Sequence, residues 1–175
     1  AQQLAFTYTL DTAKIKIYDL AYFDLRNPKK SKFKAEKLEL NSTKSMPENY
    51  CVEEATPAFT ADGKLLKFNI APKPEPEVKD TLLDDEKFSL DLWSYTDTLN
   101  MPKQLVRKGE KEFYASVWNP KSKAWVQLGN EYIKDVKIPD KTDAMLGYCT
   151  TSNPYTINSD WDYPVGTDYY LVDLK

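Results

Sequence analysis

The sequence predicts an all-β fold. Apolar and aromatic residues alternate with polar ones in short runs, and this period of two is typical of strands rather than helices. Turn residues separate the runs. The clearest turn is Asp62-Gly63, because this pair supplies the positive backbone φ that joins two antiparallel strands. A chain of 175 residues is long enough for one domain with its own core.

The first predicted unit is a hairpin. Strand Leu4–Thr9 is followed by a turn around Asp11, and the alternating run Ile15–Leu20 supplies the second strand. The lysine-rich stretch 26–44 is interpreted as a solvated excursion that contributes one edge strand near Leu38. Lysines on such an edge discourage pairing with other chains.

The second unit surrounds the Asp62-Gly63 turn. Strands 57–60 and 65–70 flank it, and a proline-rich connector over 72–76 then interrupts the strand pattern. Alternation resumes at Phe88–Tyr95, which predicts another strand. The short run Gln104–Val106 predicts an outer strand.

Two further units complete the chain. Strands Phe113–Trp118 and Ala124–Leu128 flank a turn that begins at Asn119-Pro120. The last unit pairs Met145–Thr150 with Asp168–Leu174 across a polar loop rich in aromatic residues.

The spacing of these units suggests a repeat. Hairpins begin near residues 4, 57, 113 and 145, which suits diverged blades of a partial β-propeller with about three to four antiparallel sheets. Residues 1–175 then form one propeller segment. Its blades are 4–25 (the end of one blade), 57–106, 112–130 and 144–175. A β-sandwich or jelly roll fits the strand count almost as well. Blades of about 40–45 residues would give this chain at most four, so we expect part of a ring whose exposed sheet edges self-associate.

Composition excludes several functions. The chain has no histidine, which removes histidine-dependent nucleophilic catalysis and the commonest zinc ligand sets. Its five glycines build no nucleotide-binding loop or nucleophile elbow. A net charge of −3 argues against nucleic acid as a partner. No apolar run is long enough for a membrane span, and we expect neither a span nor a signal peptide within this chain.

An ordered series of segments resembles a known family. Pro57-Ala58-Phe59-Thr60-Ala61-Asp62-Gly63-Lys64 is similar to blade signatures of the prolyl oligopeptidase family and of TolB-like repeats. Later segments continue in the same order: Ala71-Pro72 with the acidic connector after it, Leu90–Asp97, Pro102–Leu105, Tyr114–Pro120 and Trp125–Leu128. Together they resemble the N-terminal propeller of prolyl oligopeptidase-like serine peptidases of Bacteroides-type bacteria.

This resemblance implies a function without catalysis in this chain. In the family the propeller covers an α/β-hydrolase domain, restricts access to small peptides and contributes loop residues to peptide binding. The triad belongs to the hydrolase domain, so no catalytic residue is carried over. The resemblance further implies a secreted or periplasmic protein. A TolB-like periplasmic interaction module and a carbohydrate-binding module are the alternatives.

Three aromatic residues are the candidate ligand contacts. Tyr155, Trp161 and Tyr163 lie in the loop before the last strand, where they can stack on a ligand or simply bury their rings. No catalytic, cofactor-binding or metal-binding residue is predicted.

Several other groups are interpreted as structural. Glu53-Glu54 is similar to paired glutamates that hold a substrate amino terminus in some family members, but its position before a strand favours a solvated role. Acidic residues at 84–86, 160 and 162 lack the spaced ligand loop of a calcium site and are interpreted as surface groups. The basic residues Lys29, Lys30, Lys32 and Lys34 are interpreted as a solvated loop.

The two cysteines leave two interpretations open. Cys51 and Cys149 are far apart in the sequence and match no metal-binding spacing. They form either one long-range disulfide or two buried thiols that pack as small hydrophobic groups, and the second is favoured.

Overall fold

Most of the regular structure consists of strands, which confirms the all-β prediction. The computed structural model describes residues 2–26, 34–42, 46–76, 81, 83, 86–88, 90, 92–107, 112–133, 136–141, 143–161 and 163–175. In these residues the strands form three sheets with antiparallel pairing throughout. None of the helices found there has the length and apolar character needed to cross a membrane.

Sheet 1 is a meander near the N-terminus. It consists of β1 (Gln3–Tyr8), β2 (Asp19–Asp24) and β3 (Glu36–Leu38), in that spatial order. The predicted first strand and the edge strand near Leu38 are confirmed. The prediction of a strand over Ile15–Leu20 is mostly wrong, because β2 begins only at Asp19.

Sheet 2 contains the central strands of the molecule. Its strands are β4 (Tyr50–Val52), β5 (Ala58–Phe59), β6 (Leu66–Pro72), β7 (Tyr114–Asn119) and β8 (Ala124–Gln127). Both β4 and β5 pair with the same edge of β6. Val52 of β4 pairs with Ile70 of β6, and Ala58 of β5 pairs with Lys67 of β6. More residues separate Val52 from Ala58 than separate their partners on β6, so the chain bulges between β4 and β5. Sheet 2 is therefore a meander four strands wide, and β4 and β5 together form one of its edges.

Sheet 3 is formed by β9 (Val136–Lys137), β10 (Leu146–Thr151) and β11 (Asp168–Asp173), with β10 in the middle. Each sheet is thus built from strands that follow one another in the chain. The pairing of β6 with β7 places segments 57–106 and 112–130 in one sheet, whereas the sequence suggested a sheet for each.

The main core lies between sheets 1 and 2. Alternate residues of β6 (Leu66, Phe68 and Ile70) are buried against a group that includes Leu20 and Tyr22 of β2. Each large apolar side chain buried in this way stabilises the fold by about 1.5–3 kcal/mol. Aromatic rings complete the contact: the Tyr22 ring centroid lies 4.8 Å from that of Trp118 and 6.2 Å from that of Phe59.

A polar junction joins these two sheets. Asn41 lies in a 3₁₀ helix over Leu40–Ser42, and its side-chain amide donates to the Tyr18 carbonyl (2.7 Å) and to the Asp19 carboxylate (2.8 Å). Its side-chain oxygen accepts a hydrogen bond from the Val52 amide at 3.2 Å. Tyr18 and Val52 also form an isolated β-bridge, so sheet 1 curls continuously toward sheet 2 at this point.

The Asp62-Gly63 turn is confirmed and has a tertiary role. Gly63 adopts a φ of 64°, and a Cβ at this position would lie 2.2 Å from Oε1 of Gln3. The next residue, Lys64, forms an ion pair with Asp143 in the loop between β9 and β10. The turn therefore connects sheet 2 to both of the other sheets.

Two predicted strands in the connector are wrong. The described residues between 88 and 95 lie in no strand, and a turn closes this region where the Asp97 amide donates to the Ser94 carbonyl. Residues 104–106 belong instead to helix α1 (Met101–Arg107). Asn100 caps this helix by accepting a hydrogen bond from the Lys103 amide, and Pro102 fits the first helical turn, so a capping signal outweighs the strand pattern.

Candidate functional site

Three connections, which include the two longest between strands, lie at one end of the sheets. Ile70 pairs with Tyr114, so β6 ends where β7 begins. The Leu128 amide donates to the Ala115 carbonyl, so β8 also ends there. In sheet 3, β10 ends and β11 begins at the pair Thr151 and Asp168. The described residues of 73–113, 128–133 and 152–167 therefore lie at one end of their sheets, which we call the loop end.

An open cleft of about 550 Å³ lies at the loop end between sheets 2 and 3. Its size is typical of small-molecule and peptide side-chain sites. The lining combines carboxylate, amide and hydroxyl groups with aromatic and aliphatic surface: Thr98, Glu112, Glu131, Tyr132, Ile133, Thr151, Asn153, Pro154, Thr156 and Tyr170.

One wall of the cleft is a turn that several hydrogen bonds hold in place. The side-chain oxygen of Asn130 accepts hydrogen bonds from the amides of Tyr132 and Ile133, both at 2.9 Å. The Tyr132 carbonyl accepts a hydrogen bond from the Thr151 hydroxyl at 3.0 Å and one from the Asn153 side-chain amide at 3.3 Å. These bonds hold the backbone that carries Glu131 and Tyr132 against the end of β10.

A second carboxylate enters the cleft from the start of β7. Glu112 accepts a hydrogen bond from the Tyr114 hydroxyl at 3.3 Å. Tyr114 is only 3% exposed, and its ring lies 5.7 Å from that of Tyr50 between centroids. Burial raises the pKa of Tyr114 well above its ordinary value, so this hydroxyl stays protonated and remains a donor to Glu112.

Asp168 organises the aromatic residues beside the cleft. Its carboxylate accepts a hydrogen bond from the Tyr155 hydroxyl at 2.8 Å and one from the Tyr170 hydroxyl at 3.4 Å. The bond to Asp168 raises the pKa of Tyr155. Tyr170 lines the cleft, and Tyr155 lies outside its lining. The Asp168 carboxylate therefore holds one aromatic ring inside the cleft and a second ring next to it.

The three predicted aromatic contacts are only partly brought together. Tyr155 and Tyr163 line a second hollow of about 270 Å³, next to a 3₁₀ helix over Asn153–Asp160. Tyr155 packs its ring close to Gly166, where an added Cβ would lie 2.9 Å from the ring. Trp161 is outside both linings and is 86% exposed.

The cleft supports binding chemistry. Glu112 and Glu131 provide negative charge, and no lysine or arginine is found among the described residues of the lining. The chain has no histidine, and its described residues contain no group of three or more acidic or sulfur ligands that could hold a metal ion. Carboxylates beside aromatic faces favour ligands with positively charged hydrogen-bond donors.

The other acidic and basic candidates lie away from the cleft lining. Glu53 accepts a hydrogen bond from the Asn69 side chain at 3.0 Å, in the bulge between β4 and β5. Asp160 binds Asn100 and Lys103, while Glu86 closes a turn with Leu83. Six charged residues of the predicted clusters fall outside the described residues: Lys29, Lys30, Lys32, Asp84, Asp85 and Asp162.

Cys51 and Cys149 are both buried and both free. Burial raises the pKa of each thiol, which lowers the fraction of reactive thiolate at neutral pH. The structure thus agrees with the interpretation of two small hydrophobic groups.

Comparison with known proteins assigns no family. No family model, no curated protein and no solved structure matches the chain. The cleft residues themselves were not predicted from the sequence. Glu112, Glu131 and Tyr170 come from three separate segments. Asn130, whose side chain closes the turn, is a local signal that could have indicated an ordered loop there.

Proposed function

We propose that this chain is a non-catalytic propeller segment of a prolyl oligopeptidase-like serine peptidase. In this proposal it binds peptides at its loop end and limits access to a catalytic α/β-hydrolase domain. The observation that carries the proposal is the cleft between sheets 2 and 3, because ordered turns and strand ends line it with groups that bind peptides.

The arrangement of strands favours a series of propeller blades over a β-sandwich. Each sheet is a meander of strands that are consecutive in the chain. Sheet 2 is four strands wide, as a typical propeller blade is. Sandwiches and jelly rolls instead use Greek-key connections that carry the chain between the sheets. Loops that gather at one end of neighbouring meanders are well placed to face a second domain.

The cleft offers groups for both parts of a peptide. Asn153 and Thr151 provide amide and hydroxyl groups at the rim, which can bind a peptide backbone. Ile133, Tyr132 and Tyr170 provide apolar and aromatic surface for side chains. An extended peptide can therefore place its backbone at the rim and its side chains in the cleft.

Binding of a dye-labelled pool of short peptides tests the proposal. We expect the anisotropy of the pool to rise with the intact chain and Tyr170→Ala to weaken this binding severalfold, while Tyr148→Ala leaves it unchanged. Tyr148 is the matched control because it is about half exposed on sheet 3 and lies outside the cleft. Equal loss in both variants, or hydrolysis of a prolyl peptide by the purified chain, would refute the proposal.

One observation favours carbohydrate binding as a second candidate. Trp161 and Tyr163 are 86% and 97% exposed, and exposed rings of this kind stack on sugars. A glycan array distinguishes the two functions: signal that disappears with Trp161→Ala supports carbohydrate binding. Absence of signal from every glycan removes this candidate.

A further inference from the structure

The face of sheet 1 that points away from the core is apolar. Successive side chains of a strand point to opposite faces, and directly paired residues share a face. Leu20 of β2 is buried in the core with sheet 2, so Ala21 lies on the opposite face. Leu4, Phe6 and Phe23 share that face with Ala21, and Leu4 is 61% exposed. We call these four residues the sheet 1 end face.

Sheet 3 also exposes an apolar face. Cys149 of β10 is fully buried, so the preceding residue, Tyr148, lies on the opposite face. Its partner Leu171 shares this face, as do Leu146 and Tyr169. Tyr169 and Leu171 are 78% and 79% exposed, and the other two side chains are about half exposed. We call these four residues the sheet 3 end face.

Both end faces differ from the usual solvated face of an antiparallel sheet, where the outward residues are polar. The four side chains of the sheet 3 end face leave roughly 400–500 Å² of largely apolar surface in water. Exposed apolar patches of several hundred Å² are typical of interaction sites. A specific interface covers about 800 Å² on each partner, so a contact here would include the side chains around each end face.

The two end faces have complementary shapes. The middle strand of sheet 1 contributes Ala21, which pairs with Phe6 on one side and Lys37 on the other. The middle strand of sheet 3 instead contributes Tyr148, which pairs with Leu171. The sheet 1 end face therefore has its smallest side chain on its middle strand, and the sheet 3 end face has a large one there. Each face fits the other better than it fits a copy of itself.

We propose that copies of this chain associate head to tail, with the sheet 3 end face of one copy packed on the sheet 1 end face of the next. This arrangement covers both apolar faces, whereas a symmetric contact between two identical faces covers only one of them. Sheets 1 and 2 already pack face to face within the chain. The contact does not involve the cleft and is therefore independent of peptide binding.

Sedimentation equilibrium from micromolar to millimolar concentration tests the proposal with charged variants. Leu4→Lys alters the sheet 1 end face, and Leu171→Lys alters the sheet 3 end face. We expect each to weaken association by about tenfold or more, because the added charge would lose its hydration in the contact. Val106→Lys is the matched control, since Val106 is an 82% exposed residue of α1 that belongs to neither end face. It should associate like the unmodified chain.

A mixture of the two weakened variants distinguishes a head-to-tail contact from a symmetric one. Leu4→Lys keeps an unaltered sheet 3 end face, and Leu171→Lys keeps an unaltered sheet 1 end face, so a mixed pair has one intact contact. We expect the equimolar mixture to associate about tenfold more tightly than either variant alone. If a lysine variant loses its native circular dichroism spectrum, Phe6→Ser and Tyr169→Ser provide a second pair on the same faces.

Three results would overturn the proposal. A monomeric mass at every concentration would show that a second copy does not cover the end faces. Association that Leu171→Lys weakens and Leu4→Lys leaves unchanged would assign the contact to sheet 3 alone, as when two copies pair through the same strand, β11. A mixture no tighter than its components would exclude the head-to-tail arrangement.

Two results for the unmodified chain would support it in different forms. A mass that reaches a limit would indicate copies that close into a ring. A mass that continues to rise would indicate an open chain of copies, which the same contact forms when its rotation does not close.

Discussion

Ser116 places a polar group in the core of sheet 2. The residue is fully buried on β7 between Tyr114 and Trp118, and it pairs across the sheet with Phe68. Its hydroxyl makes no hydrogen bond with the described residues. A buried hydroxyl without a partner costs about 1–3 kcal/mol, so this position reduces the stability of the fold.

We therefore expect Ser116→Ala to raise the free energy of unfolding by about 1 kcal/mol, since the substitution removes the unsatisfied group and keeps a small side chain. Urea denaturation followed by tryptophan fluorescence measures this change. Ser122→Ala, in the exposed turn between β7 and β8, is the control and should stay within about 0.5 kcal/mol of the unmodified chain. A clear loss of stability in Ser116→Ala would show that the hydroxyl has a partner after all.

Among the elements, α1 contacts the connection between β10 and β11 through the Asp160 carboxylate. Asp160, at the end of the 3₁₀ helix, accepts a hydrogen bond from the Asn100 side chain at 2.8 Å and forms an ion pair with Lys103. Lys103 lowers the pKa of Asp160. The attachment is therefore complete at neutral pH and is lost as the pH falls through this lowered pKa.

Asp160→Asn should loosen α1 without unfolding the sheets. It removes the charge that binds Lys103, and we expect hydrogen exchange in residues 101–107 to accelerate about two- to fivefold, as for an exposed ion pair. Asp11→Asn, in the loop between β1 and β2, should leave this exchange unchanged. Unaltered exchange of α1 in Asp160→Asn would mean that other contacts hold the helix.

The elements that sequence predicted correctly are those with local signals. The turns at Asp62-Gly63 and Asn119-Pro120 fix their own hairpins, so β5 to β8 follow from nearby residues. The two strands β4 and β9 were not predicted, because they span only three and two residues, which is too short for an alternating pattern to show. The cleft was missed because its residues come from two sheets and from the connection between them, so only the tertiary arrangement of the sheets brings these segments together.

At the scale of the whole molecule, the sheets differ in how their edges are protected. On β3, Lys37 is exposed, and an edge lysine discourages pairing with another chain. β11 has the sequence DYYLVD without lysine or proline, and among the described residues it pairs only with β10. Its outer face is apolar: Tyr169 and Leu171 are 78% and 79% exposed.

We therefore expect the chain to self-associate through β11. Pairing of this edge with a second copy would satisfy its free backbone groups and remove Leu171 and Tyr169 from water. Sedimentation equilibrium from micromolar to millimolar concentration should show a mass that rises with concentration. Leu171→Lys should weaken the association at least severalfold by placing a charge on this face. Leu10→Lys, which replaces a leucine 80% exposed in the loop after β1, should not. A monomeric mass at every concentration, or equal effects of the two variants, would show that the β11 edge is not the contact.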